Sequence, residues 1–297
     1  MPFLRQAIVA AAGISLYGRW YQGEPMPTPR SGHVAVAVNG LIYCIGGFDG
    51  VNWLGNNEVY DPVSNTWRTV APMPTPRDSM AAAAVGGKIH VIGGYGPNGA
   101  LDTHEIYDPK TDSWTTGPSL PGNKRFYLMA ASLMGRLFVL GGYDGINIVS
   151  AARSYYPGST NWLSETDMLN GRYLGDAVAI GSRIYVIGGT SSTATNLNES
   201  YDPTTRTWRT ETPLPGGKQG VKIVNLNGRI HALGGQGYDT LHQEYDVSSM
   251  KWTARAPLPL GRDQFGAAVV GEKIFVIGGY REGQYLNRVD IFTPFEG

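Results

Sequence analysis

The chain has 297 residues, and 24 Lys plus Arg are balanced by 24 Asp plus Glu, so no net field draws phosphate backbones or anionic membranes and nucleic acid is a poor partner. Its one cysteine, Cys44, excludes an internal disulfide, a paired-cysteine redox site and a thiolate zinc cage. A single domain of this length buries a large core.

The first sixteen residues carry one early arginine and an apolar run from Ala7 to Leu16, too short for a membrane span. The run resembles a weak signal-peptide core without a clean small-x-small cleavage site. Two expectations stand for it: a secretory leader, or a segment packed on the flank of the domain that follows from residue 17.

From there the chain repeats. Gly-Gly pairs begin at 46, 93, 141, 188, 234 and 278, and Trp stands at 20, 67, 114, 162, 208 and 252. A unit of this length that recurs six times cannot bury its apolar face alone and must stack on its neighbours. Each unit opens on a basic residue 16 positions before its glycine pair: Arg30, Arg77, Arg125, Arg172, Lys218 and Arg262. A run such as HVAVAV (33–38) or MAAAAV (80–85) follows. Apolar residues on both parities predict a strand covered on both faces, and the alanines predict close neighbours. Two-residue turns such as Asn39-Gly40 and Asn227-Gly228 then lead by a hairpin into a second strand that ends at the glycine pair. A third strand closes on Tyr-Asp-Pro, as at Tyr60-Asp61-Pro62, which is turn chemistry leading into a fourth, Trp-bearing strand. Cys44 falls in the slot held by Val91, Val139, Val186, Ala232 and Val276, so it reads as a small core residue.

The Gly-Gly pair, the Tyr-Asp-Pro turn and the Trp at this spacing resemble kelch repeats over about 95% of the chain, counted from residue 17. The resemblance implies an all-β, six-bladed β-propeller with four antiparallel strands per blade. The blades are expected at roughly 30–76, 77–124, 125–171, 172–217, 218–261 and 262–297, the last completed by 17–29. Departures are local: unit three has Tyr155-Tyr156-Pro157, unit five Tyr245-Asp246-Val247 and unit six Phe292-Thr293-Pro294. The last unit has no Trp-bearing strand, and WYQGEPMPTP (20–29) matches WRTVAPMPTP (67–76). The N-terminal strand is therefore expected to close the ring, hiding two sheet edges.

The distance from Trp to the next basic residue is 10 or 11, and from there to Gly-Gly always 16, whereas Gly-Gly to Trp runs from 18 to 21. Variation thus gathers in the loop after the glycines, where a rigid frame usually carries binding residues. In kelch domains that recruit peptides, that loop and the residues just after the basic one surround one mouth of the central channel. Carried onto this chain, the resemblance implies a ring of Phe48, Tyr95, Tyr143, Thr190, Gln236 and Tyr280. Ser31, Asp78, Ser79, Phe126, Tyr127, Tyr173, Gln219, Asp263 and Gln264 join it, with Arg281 as the evident loop cation. Aromatic faces with polar tips suit a peptide loop or a glycan.

The six basic residues could form an anion site, but a residue repeated in every unit is expected to serve the blade by pairing a loop carboxylate or carbonyl. Asp176 and Lys222 break the apolar pattern of adjacent inner strands and are expected to pair with each other or with channel water. His90 and His231 fall in the slot of Tyr43, Phe138, Tyr185 and Phe275 and read as core. His33, His104 and His242 lack metal-ligand spacing, and Cys44 does not fit the Cys-Tyr crosslink of kelch-like copper oxidases. No cofactor or metal is implied. The expected function is non-catalytic binding of a protein segment or glycan at the loop face, by a monomer. The alternative is a sugar-processing enzyme similar to sialic acid mutarotases, with Asp78 or Asp263 beside Arg281.

Overall fold

A computed structural model describes residues 17–294; the apolar segment 1–16 lies outside the described residues. Six four-stranded antiparallel sheets form the blades of a six-bladed β-propeller, and a two-stranded ribbon, Tyr95–Gly96 with Gly99–Ala100, projects from blade two. In blade one the strands run Val34–Val38, Leu41–Ile45, Asn57–Asp61 and Thr66–Val70, each hydrogen-bonded to the next. The first turn works as its sequence implies: Asn39 and Gly40 sit at φ 51° and 80°, the left-handed pair that matches hairpin twist.

The alanines of the inner strands serve close packing. In blade one Val34 and Val36 face Ala82 and Ala84 of blade two, while Ala35 and Ala37 face Ala268 and Val270 of blade six. The glycine pair meets a backbone wall, since a Cβ on Gly47 would lie 2.7 Å from the Ser31 carbonyl oxygen. Contrary to expectation, the pair does not end the second strand everywhere. In blades four and six it lies inside Arg183–Thr190 and Lys273–Arg281, because the following residues keep pairing, Tyr280 with Tyr285 for example.

Ring closure follows the sequence reading: Arg19–Gln22 completes blade six, with Trp20 opposite Phe292. Trp20 also donates its indole N–H to the Ala256 carbonyl of blade five at 2.8 Å. The other five repeat tryptophans do the same: Trp67, Trp114, Trp162, Trp208 and Trp252 bond Glu24, Ala71, Pro118, Thr166 and Thr212 carbonyls. Trp67 is thus a half-buried staple between blades rather than a core residue.

The basic residues serve the blades. Arg30, Arg77, Arg172 and Arg262 are fully buried and pair with Glu58, Glu105, Glu199 and Asp290 at 2.5 to 2.7 Å. The same guanidiniums reach second-strand carbonyls, Arg30 that of Cys44 at 2.9 Å. Lys218 pairs instead with Asp239 of its own loop, and Arg125 donates to the Gly141 carbonyl at 3.1 Å. With five of the six paired to carboxylates and Arg125 turned to a strand-end carbonyl, they do not converge as an anion site. Cys44 is fully buried, and burial pushes its thiol up to about 12, which leaves it without nucleophilic character.

His90 and His231 are buried core residues as expected, but each has a partner that the linear spacing hid. His90 Nδ1 and His104 Nε2 lie 2.9 Å apart, as do His231 Nδ1 and His242 Nε2. His104 Nδ1 and His242 Nδ1 face the carbonyls of Pro118 and Ala256, the bonds that Asn57 and Asn198 make in blades one and four. A carbonyl can only accept, so Nδ1 carries the proton in His104 and His242 and Nε2 accepts from the inner histidine. Among the described residues no third donor turns either pair into a metal site.

Candidate ligand-binding face

The two residue sets carried over from the repeat pattern meet one to one. In every blade the residue after the basic one pairs by backbone hydrogen bonding with the residue after Gly-Gly: Ser31 with Phe48, Asp78 with Tyr95, Phe126 with Tyr143, and Asp263 with Tyr280. Tyr173 pairs with Thr190, and the Gln236 amide donates to the Gln219 carbonyl. The constant spacing of 16 in the sequence is what aligns these partners.

The next residue of each blade was not singled out as a group by its sequence. Gly32, Ser79, Tyr127, Leu174, Gly220 and Gln264 all lie in the left-handed region, at φ from 52° to 72°. Their backbones form a throat: Ser79 N–H donates to Gly32, Tyr127 to Ser79, Leu174 to Tyr127, Gly220 to Leu174, and Gly32 to Gln264. Four of the six have side chains and bear about 1 kcal/mol each of left-handed strain. Below the throat the channel is lined by His33, Asp176 and Lys222.

The expected Asp176–Lys222 pair is corrected. The Asp176 carboxylate accepts the Ile223 amide at 2.9 Å and the Ala177 amide at 3.0 Å, and no ion pair joins it to Lys222 among the described residues. Backbone amides are closer and need no desolvated ammonium. Burial still raises the Asp176 pKa, opposed by the nearby Lys222 charge and by these two amides.

Around the throat the aromatic residues join. Nine rings run from Tyr280 through Tyr285, Phe48, Trp53, Tyr95, Phe126 and Tyr143 to Tyr173, with Tyr127 beside Phe126 and Tyr173, at centroid distances of 4.9 to 6.2 Å. The arc covers blades six, one, two, three and four. Two members, Trp53 and Tyr285, have no counterpart in the other units because they lie in the segments of variable length after the glycine pairs. A signal for Trp53 was present, since it is the one tryptophan of seven outside the repeat.

Asp78 lies in the middle of this arc. A cavity of about 370 Å³ is lined by Asp78 with Phe48, Trp53, Ser79, Tyr95, Phe126 and Tyr127. Burial lifts the Asp78 carboxyl to about 6, moderated by hydrogen bonds from Ser79 and Trp53. Among the described residues no lysine, arginine or histidine forms an ion pair with it.

The other predicted residues do less at the surface. Ser31 and Thr190 are buried, and the Ser31 hydroxyl lies 3.4 Å from the Gln264 side-chain oxygen. Gln219 and Gln236 bond each other through their amides. Asp263 accepts the Tyr238 amide at 3.0 Å, and Arg281 lies over the Tyr238 ring while donating to the Gly261 carbonyl and to Glu282. The loop of blade five is thus held by polar contacts within it and from blade six.

The kelch motif model matches residues 29–74, 76–121, 171–215 and 261–294, more than half of the chain. The unmatched blades, three and five, are those in which Arg153 and Gln243 replace the buried acid. Kelch-like protein 6 of Homo sapiens is 42% identical over 53 residues, 18% of this chain and 8% of that protein. Kelch-like protein 35 of Mus musculus is 41% identical over 51 residues, 17% of this chain and 9% of that protein. The matches thus span less than a tenth of those relatives. The solved structure of YjhT superposes with a TM-score of 0.78 at 18% identity, covering 89% of this chain and 95% of that one, which shows a shared fold. With six blades in place and the motif matched over more than half its length, the chain belongs to the kelch-repeat family.

Proposed function

We propose that this propeller is a non-catalytic binding module that captures a protein segment at the loop face. The observation that carries the reading is the continuous aromatic arc across five blades, set at the loop and strand ends of one face while the frame beneath repeats. Tyrosine and tryptophan offer large contact area at low conformational cost, with polar tips that orient a partner. The short matches to Kelch-like proteins agree with this class, although a fold shared by many functions does not choose among them. A peptide array and a glycan array, read against the wild type and Tyr95→Ala, test it. Peptide binding that Tyr95→Ala weakens at least tenfold supports the reading, selective glycan binding moves the ligand class to saccharides, and binding indifferent to Tyr95→Ala removes the loop face.

A second reading, a sugar-processing enzyme of the sialic acid mutarotase type, draws on Asp78, whose carboxyl near 6 is poised for proton transfer. Its anticipated partner is elsewhere, because Arg281 is held by Tyr238, Gly261 and Glu282. Anomer exchange of a sialic acid followed by proton NMR, with Asp78→Asn as control, tests this reading directly.

A further inference from the structure

The cavity over Asp78 combines features that point to one ligand chemistry. Five aromatic side chains, Phe48, Trp53, Tyr95, Phe126 and Tyr127, surround a space of about 370 Å³, and the charged group among its lining residues is one carboxylate. Aromatic faces carry negative potential and attract a cation held near the ring centre. A half-buried carboxylate without a cationic partner bears part of its desolvation cost, which a ligand cation would offset. Asp49, held on the same loop as Trp53 by the Val51 and Asn52 amides, adds a second negative charge: both it and Asp78 act on the Tyr285 phenol.

We propose that this aromatic cage binds a methylated lysine ammonium presented by the protein segment captured at the loop face. The inference rests on the binding reading above and names the group that the central site recognises. A methylated ammonium fits better than a guanidinium. Arginine brings five N–H donors that a cage with one carboxylate leaves unpaired, whereas a trimethylammonium asks only for area and negative potential. The groups facing Asp78 are the Tyr127 and Tyr285 phenols, the Ser79 hydroxyl and the Trp53 indole. None of these carries charge near neutrality, and Asp49, held below the ordinary carboxylate range by the Asn52 and Val51 amides, stays ionised, so Asp78 is the group that titrates. Its pKa near 6 means that acidification through that range removes the charge within the cage, leaves that of Asp49 at its edge, and weakens cation binding.

The test uses three capped probes with the full chain: N-acetyl-Nε-trimethyllysine methylamide, the unmethylated lysine analogue, and the uncharged tert-butyl analogue of the same shape. The Trp53 indole N–H resonance is followed by NMR and assigned by its loss in Trp53→Phe. The trimethyl probe is expected to shift it saturably, with affinity at least tenfold above the uncharged analogue and at least fivefold above unmethylated lysine. Asp78→Asn, which retains the shape of the side chain, is expected to lower that affinity at least fivefold at pH 7.5 with the protein still folded. Equal affinity for the charged and uncharged probes, or no shift of the resonance, overturns the cage. If array peptides still bind through Tyr95 in that case, loop-face binding stands without it; if no array peptide depends on Tyr95, both fall.

Discussion

Arg125, just before the first strand of blade three, and Arg153, on its third strand, occupy the positions where blades one, two, four and six hold an arginine and a carboxylate. Burial and the Arg153 charge push the Arg125 guanidinium down to about 10. The inner arginine persists because its N–H groups serve the strand ends, as in the Gly141 bond, while Arg153 donates to the Ala152 carbonyl and turns toward Asp167. Arg153→Glu is expected to rebuild the pair and stabilise the protein by about 2 kcal/mol in urea unfolding. Glu58→Gln, which breaks the equivalent pair with Arg30, is expected to cost about 3 kcal/mol. A destabilised Arg153→Glu would refute the equivalence of the two slots.

Closure by Arg19–Gln22 makes ring stability depend on the first described strand. Removing residues 17–29 exposes the edge of Gln284–Thr293 and strips the Trp20 bond to Ala256. Cooperative loss of the whole fold by circular dichroism is expected, and unchanged melting would sink the closure.

All five histidines are buried with depressed pKa values. Burial takes His90 and His242 to about 4 and His104 and His231 to about 3, and holds His33 well below 6.5. The unfolded chain takes up these protons near 6.5 and the folded one does not, so their contribution is fully present above 6.5 and is lost as pH falls toward 4. Each histidine contributes a slope of roughly 1 kcal/mol per pH unit in that window. His104→Asn keeps the bond to the Pro118 carbonyl that Asn57 and Asn198 make in their blades, and is expected to shallow the slope by about one proton. Stability that does not fall between pH 6.5 and 4.5 would contradict the neutral histidine pairs.

Asp78 works in the opposite sense. Its carboxyl is raised to about 6 by burial, so the folded state binds a proton more tightly than the unfolded chain and loses stability as pH rises from about 4 to 6. Asp78→Asn is expected to raise stability on the order of 2 kcal/mol at pH 7.5, with the difference gone at pH 4. Melting curves of both proteins at the two pH values decide it.

Asp176 joins adjacent blades through the Ile223 amide. Asp176→Ala leaves that buried N–H unpaired and is expected to cost about 2–3 kcal/mol, whereas Lys222→Met is expected to stay within about 0.5 kcal/mol. A double variant that recovers the loss would restore the ion pair rejected above.

Fold and frame were legible because the repeat tests every position six times. A tyrosine, a proline or a glycine recurring at one offset must serve the blade, and the fixed spacing of 16 aligned Asp78 with Tyr95. What was illegible lay where the repeat fails or where contacts cross blades. Trp53 and Tyr285 sit in the segments of variable length after the glycine pairs, with no counterpart in other blades, and the left-handed throat is a backbone conformation that residues as different as Gly32, Tyr127 and Leu174 adopt alike.

The amino-acid sequence by itself determined the six repeating units and the closure of the last by the first strand, since each unit must stack on its neighbours to bury its apolar face, and the kelch resemblance named the residues expected around the channel mouth. Only the tertiary structure decided which of those residues act together. Ring packing between blades, burial of Asp78 beside Trp53, and consumption of Asp263 and Arg281 by the Tyr238 loop depend on distances across the propeller, which spacing along a chain does not encode.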